Sequence, residues 1–246
     1  MSAVLDARLW LNAHRFGARV LRAGEEPWAV PEQLGLFSKE LARWLSLELV
    51  EVNVGAALVA WRQGGGGELR TPDELIDVLD GADFQDHLSE GLAAVLGAGL
   101  DCPVTLNLPG AGRLAARLGE DYAADEDACD DIAQALTGLL RGVYARGIGA
   151  VLIDESEPLA VPLYTPVVNV AANYQLPLLL TLDGILDEVP RGFSKVYSRG
   201  GSEGRYLEAG VWAAPSALDA ASAYAEIPVD LTADAVLSAL AALRGG

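Results

Sequence analysis

The chain has 246 residues, 51% of them hydrophobic, with 17 Lys+Arg against 35 Asp+Glu and a formal net charge of -18. That length and apolar content suffice for one large core, which excludes a disordered chain, a collagen-like repeat and a small disulfide-stapled domain. The acidic balance argues against nucleic acid and against an anionic membrane surface, because both recruit clustered Lys and Arg.

No apolar run approaches the roughly 20 residues that span a bilayer. The start, Met1 to Arg8, has no basic region leading into an apolar core, so a cytoplasmic protein is expected. Cys102 and Cys129 can form at most one bridge and read as reduced thiols in that compartment.

In chain order, Leu34, Phe37, Leu41, Trp44 and Leu45 recur at helical spacing, and Glu48 to Val54 then turns β-branched and strand-like. Gly64 to Gly67 reads as a flexible break. Thr71-Pro72-Asp73-Glu74 has the N-cap, first-turn Pro and reciprocal Glu of a helix start. The next helix has Asp83 as its expected cap and buries Phe84, Leu88, Leu92, Val95 and Leu96.

Cys102 to Leu108 is a predicted strand, Gly112 to Leu118 a short helix stopped by Gly119, and Asp127 to Arg146 a long helix burying Ile132, Leu136, Leu139, Leu140 and Val143. Its acidic first turn and basic last turn complement the helix dipole. Gly149 to Asp154 and Pro177 to Leu182 run apolar without alternation, as strands covered on both faces do. Thr165-Pro166 opens a helix between them. Phe193 to Ser198 and Gly210 to Ala214 are further expected strands, and Ala233 to Leu243 closes the chain as an amphipathic helix.

Strands alternating with helices imply parallel β-structure with right-handed crossovers. No glycine fingerprint follows the first strand, as an open nucleotide-binding sheet requires, so a (β/α)8 TIM-type barrel is favoured. Fewer than eight strands stand out, so at least one is short or irregular. A single domain over residues 1–246 is expected, with N-terminal helices in 1–45 packed on the barrel.

In such a barrel the site lies where the strands end. The polar residues there are Asn53, Asn107, Asp154 with Glu155, Asp183, and Ser198 with Arg199. The sharpest signal is Ile153 to Pro158, where an apolar strand ends in the carboxylates Asp154, Glu155 and Glu157. Crowded acids raise one another's proton affinity and can hold an amine or move a proton; the plainer reading is a capped turn with solvated acids.

The turn Pro109 to Gly112 has amides suited to an anion, though such turns usually only connect. Arg199 to Arg205 reads as a mobile loop with two cations, either a lid that clamps a carboxylate or a solvated connection. Trp212 is expected to line a pocket from a strand or to join the core. His14, His87, Cys102 and Cys129 lack ligand spacing, so neither a metal nor a cofactor is expected.

Pro103 to Gly119 (PVTLNLPGAGRLAARLG), the long helix after it, Gly147 to Leu159 (GIGAVLIDESEPL), Leu176 to Gly184 and Glu226 to Leu243 together resemble the superfamily that joins uroporphyrinogen decarboxylase to cobalamin-independent methionine synthase. The resemblance covers most of residues 75–243 and implies a barrel with a small-molecule pocket at its mouth. It implies a substrate-binding role for Asp154, and by extension Glu155, because the Asp of the Ile-Asp-Glu-Pro strand helps bind a substrate amino group in methionine synthases.

The His-x-Cys and later Cys of the methionine synthase zinc site, and the N-terminal Arg-rich motif of the decarboxylases, are absent. The expected function is therefore an enzyme on a small polar organic substrate. Asp154 and Glu155 are its expected catalytic residues; Asn53, Asn107, Asp183, Arg199 and Trp212 are expected to bind substrate. Methyl transfer without the usual zinc site is the first reaction expected, decarboxylation or another lyase reaction the second, and a barrel that binds without catalysis the third. A homodimer is compatible with the sequence, which identifies no apolar stripe for it.

Overall fold

The computed structural model describes residues 3–144, 147–156, 158–186, 189–199, 201 and 203–245. Eight parallel strands form one sheet: β1 (Leu9–Asn12), β2 (Val50–Asn53), β3 (Val104–Pro109), β4 (Ile148–Glu155), β5 (Leu178–Leu182), β6 (Lys195–Ser198), β7 (Gly204–Leu207) and β8 (Ser222–Glu226). Their order is β1-β8-β7-β6-β5-β4-β3-β2, so the sheet rolls into a nearly closed (β/α)8 barrel. Side chains join its two end strands. Glu48 accepts the backbone N–H of Arg8 at 2.7 Å and of Leu9 at 3.1 Å, and Trp10 Nε1 donates to Glu51.

The helices are α1 (His14–Leu21), α2 (Pro31–Leu45), α3 (Val54–Trp61), α4 (Pro72–Asp80), α5 (Ala82–Gly97), α6 (Ala111–Leu118), α7 (Glu120–Ala123), α8 (Glu126–Val143), α9 (Thr165–Asn173) and α10 (Ala233–Leu243). Strand alternation sorts the barrel residues into two sets. Val50, Val52, Leu106, Leu108, Val151, Ile153 and Leu180 face outward into the main core with the helices. Trp10, Leu49, Ala150, Leu152, Leu179, Tyr197 and Tyr224 form a second cluster that fills the lumen. Val4 and Ala7 join this cluster, and Lys195 Nζ donates to Leu5 O at 2.8 Å, so the N-terminal turn plugs the floor.

Several expectations change in detail. Residues 9–12, expected among N-terminal helices, are a barrel strand, and β7 and β8 arise in segments with little apolar signal. Gly210 to Ala214 is not a strand: Ala209–Trp212 is a 3-10 turn. Asp83 lies inside α5, whose cap position is the extended Gly81. The long helix begins at Glu126 rather than Asp127, and Asp125 caps it by accepting from the N–H groups of Asp127 and Ala128. Gly64 to Gly67 does break the chain: residues 62–66 turn on from α3, and Gly65 and Gly67 take positive φ, +122° and +80°.

The Thr71 cap forms as expected, with its hydroxyl accepting from Glu74 N at 3.3 Å. Among the described residues no helix is long and apolar enough to cross a membrane.

Candidate functional site

The lumen changes character from floor to mouth. Near the floor stand Leu49, Ala150 and Leu179; at the carboxyl ends the inward positions become Asn12 beside Glu226, Asn53 beside Asn107, and Asp154 beside Thr181. Polar groups in a barrel interior cost free energy unless each meets a partner or a ligand, so this gradient makes the mouth the candidate site.

Asp154 is its centre. The carboxylate accepts from Thr181 Oγ1 at 2.9 Å and pairs with Arg113 of α6 at 3.2 Å, with 18% of the Asp154 side chain and 27% of the Arg113 side chain exposed. Burial raises the Asp154 pKa, against the pull of Arg113 and Thr181. The Nε of Arg113 is buried without a partner.

Arg117 lies one turn further along α6, exposed at the mouth. A Cβ on Gly55 would stand 3.2 Å from Asn53 Oδ1 and 3.7 Å from Arg117 Nη1, so both groups border the same end of α3. Partial burial and the repulsion of Arg113 and Arg15 lower the Arg117 pKa, against the pull of Asp154 and Glu226. No salt bridge relieves that repulsion among the described residues. Glu226 faces the same space, its pKa raised by burial and by Asp154, with Arg15 at 4.0 Å. Tyr206 completes this level, its phenol pushed up to about 12 by burial and by the charges of Asp154 and Asp183.

Glu51 lies deep in the barrel yet keeps some contact with the lumen. Its carboxyl accepts from Trp10 Nε1 and, at 3.0 Å, from Asn107 Nδ2. Burial outweighs both hydrogen bonds and pushes its pKa up to about 8. Tyr224 is close by, its hydroxyl accepting from Asn12 Nδ2 at 3.2 Å.

The residues singled out in the sequence separate into groups. Asp154 and Asn107 face the lumen. Asn53 stands at its rim and caps α3, accepting from Ala56 N at 2.9 Å. Asp183 and Arg199 form a rim cluster, 2.5 Å apart, with Glu208 at 3.1 Å from the same guanidinium; Arg199 thus ties the ends of β5, β6 and β7 rather than standing free as a clamp. Arg205 belongs to β7 and pairs with Asp219 at 2.5 Å. Glu157, Gly200 and Ser202 lie outside the described residues.

Two expected site residues point elsewhere. Adjacent strand residues face opposite sides, so Glu155 turns out of the lumen into the helix layer and is fully buried. There it accepts from Tyr164 Oη, from Gly112 N at 3.1 Å and from Ser156 N at 2.7 Å. Trp212 is buried in the outer core and donates Nε1–H to Glu226 O at 2.9 Å, so it braces the end of β8 from outside.

The turn before α6 holds its amides internally as well. Gly110 N donates to Asp154 O at 2.7 Å and Ala111 N to Tyr164 Oη at 2.7 Å, which leaves them unavailable to an anion.

The side chains at the mouth do not fit the zinc site of methionine synthases. Cys102 sits at the opposite end of β3 and Cys129 is buried on α8. His14 pairs with Glu26 at 2.8 Å, and His87 rests against Trp28, outside the barrel. Among the described residues no three His, Cys, Asp or Glu gather as metal ligands.

Reading from sequence missed Glu51, Arg113, Arg117, Tyr206 and Glu226. One signal was present: in Val50-Glu51-Val52 an acid alternates with β-branched residues, the mark of an inward polar position. Arg113 and Arg117, four apart on the helix after β3, were a second. Comparison with protein-family models and with curated proteins finds no significant match.

Proposed function

We propose that the protein is an enzyme that binds a small organic anion in the barrel mouth. Arg113 and Arg117 would receive the anionic group; Asp154, Glu226 and Glu51 are the acid and base groups beside it. The observation that carries this reading is the half-buried Arg113–Asp154 pair at the carboxyl end of the lumen, with the buried Arg113 Nε and the unbridged Arg117 as cationic capacity left over in an acidic chain. The partner on this reading is a small molecule, not nucleic acid or membrane, in a cytoplasmic setting.

We also propose that the chain is a divergent member of the uroporphyrinogen decarboxylase and methionine synthase superfamily. The lumen-facing Asp154 at the end of the Ile153-Asp154-Glu155 strand supports it. Methyl transfer that does not use a thiolate-bound zinc is the reaction this resemblance puts first. Decarboxylation or another lyase reaction is the second, and it draws on the high proton affinity of Glu51, which suits a group that delivers a proton to a carbon left with an electron pair.

Titration calorimetry with a panel of small organic acids tests the binding. Saturable binding to the wild type, weakened at least tenfold in Arg113→Ala and in Arg117→Ala, is expected. Unchanged binding in both variants would reject the site.

A further inference from the structure

Glu51 has no cation paired with it among the described residues, and burial and neighbouring acids outweigh the hydrogen bonds that would favour a charge on it. Among the described residues its two oxygens meet only neutral donors, Trp10 Nε1 from β1 and Asn107 Nδ2 from β3. Thr105, its cross-strand neighbour, has a buried hydroxyl without a partner. The other groups facing it are Asp154 from β4 and Tyr224 and Glu226 from β8, two of them acids. Arg113 is engaged with Asp154.

We propose that Glu51 is a neutral carboxylic acid that donates a hydrogen bond to an uncharged oxygen of the substrate, so that the site takes oxo- or hydroxycarboxylates: the carboxylate toward Arg113 and Arg117, the carbonyl or hydroxyl oxygen on Glu51. This rests on the barrel-mouth reading above. A protonated carboxyl keeps lone pairs for Trp10 and Asn107 while its O–H turns to the lumen. Were Glu51 ionised, it would join Asp154 and Glu226 in facing an anionic ligand, and that repulsion in a low-dielectric lumen works against binding. Neutral, it leaves the carboxylates of Asp154 and Glu226 facing the three guanidinium groups of Arg15, Arg113 and Arg117, a surplus of one cation for one anionic group. Its pKa near 8 keeps it in the acid form at neutral pH.

Pyruvate, lactate and propionate are the probes, measured by calorimetry from pH 6 to 10 against wild type and Glu51→Gln. Pyruvate or lactate is expected to bind at least tenfold more tightly than propionate at pH 6.5. Affinity should be flat below about pH 8 and fall tenfold per unit above it, while Glu51→Gln, which stays neutral and can still donate, shows no break. The carboxyl 13C resonance that disappears in Glu51→Gln should titrate near pH 8 in the unliganded wild type.

A Glu51 resonance already ionised at pH 6, no preference over propionate, or a break that persists in Glu51→Gln overturns the inference. If Arg117→Ala and Arg113→Ala weaken binding in those cases, the mouth is still the site. If no carboxylate binds or those variants change nothing, the broader reading falls with it.

Discussion

Removing the Glu155 carboxylate strands a phenol and two backbone N–H groups at once, in a place water does not reach. Glu155→Ala is therefore expected to cost about 3 kcal/mol, and Tyr164→Phe, which removes one hydroxyl between Glu155 and Ala111, about 1 kcal/mol. Urea unfolding at constant m value measures both. A Cβ on Gly110 would overlap the same carboxylate, which explains glycine there. Glu51 makes a different prediction. Its pKa, 4.5 in an ordinary setting, is about 8 when folded, so the native state binds the extra proton between those values. Stability is then greatest below pH 4.5 as far as this group is concerned and declines as pH rises toward about 8, by at most ~1.4 kcal/mol per unit. Asp154 and Glu226 are shifted the same way, so Glu51→Gln flattens the decline without abolishing it; denaturation midpoints from pH 5 to 9 read the difference. The sequence made Asp154 legible because an acid ends an apolar run. It did not separate Asp154 from Glu155, since the face each takes depends on the register of β4, which carries an irregularity at Val104/Thr105 in its pairing with β3.

At the scale of elements, legibility followed the amount of apolar surface a segment buries. The strands β3, β4 and β5 and the helices α8 and α10 announce themselves through long apolar runs or periodicity. In contrast β7 and β8 carry glycine, arginine, serine and tyrosine, so their strand character comes from neighbours in the sheet and not from their own composition, while β1 is apolar but only four residues long. Val211 and Trp212 have strand-forming side chains, yet Trp212 anchors a 3-10 turn through Glu226 O. The seam between β1 and β2 shows how a barrel closes without a full ladder. Glu48 stands in for backbone acceptors by taking two β1 amides. Glu48→Ala is expected to lower stability by about 1–2 kcal/mol and to speed amide exchange at Arg8 and Leu9 before any other strand opens. Equal protection at those amides in the variant would mean that the seam holds by other contacts.

Across the whole molecule, 35 acids against 17 Lys and Arg make cations scarce, which gives meaning to where they collect. Arg15, Arg113 and Arg117 share the mouth with Asp154 and Glu226, and the surplus cation raises the local potential toward an anion. Arg113 and Arg117 nonetheless differ in what the folded protein asks of them. Arg113 neutralises Asp154 in a half-buried pair, so Arg113→Ala leaves a carboxylate unpaired and is expected to cost about 2 kcal/mol and to raise the Asp154 pKa further. Arg117 has no ion pair among the described residues to lose, and Arg113 and Arg15 repel it. Arg117→Ala should leave stability within about 0.5 kcal/mol of wild type. A cation that folding does not need, kept beside two others, is a cation kept for something that arrives. Its removal is therefore expected to weaken carboxylate binding at least tenfold and to reduce the salt dependence of association, with the melting temperature unmoved. Stopped-flow association at two ionic strengths, beside a thermal melt, separates the outcomes: a variant that melts earlier assigns Arg117 to the scaffold, and one that binds as well as wild type removes it from the site.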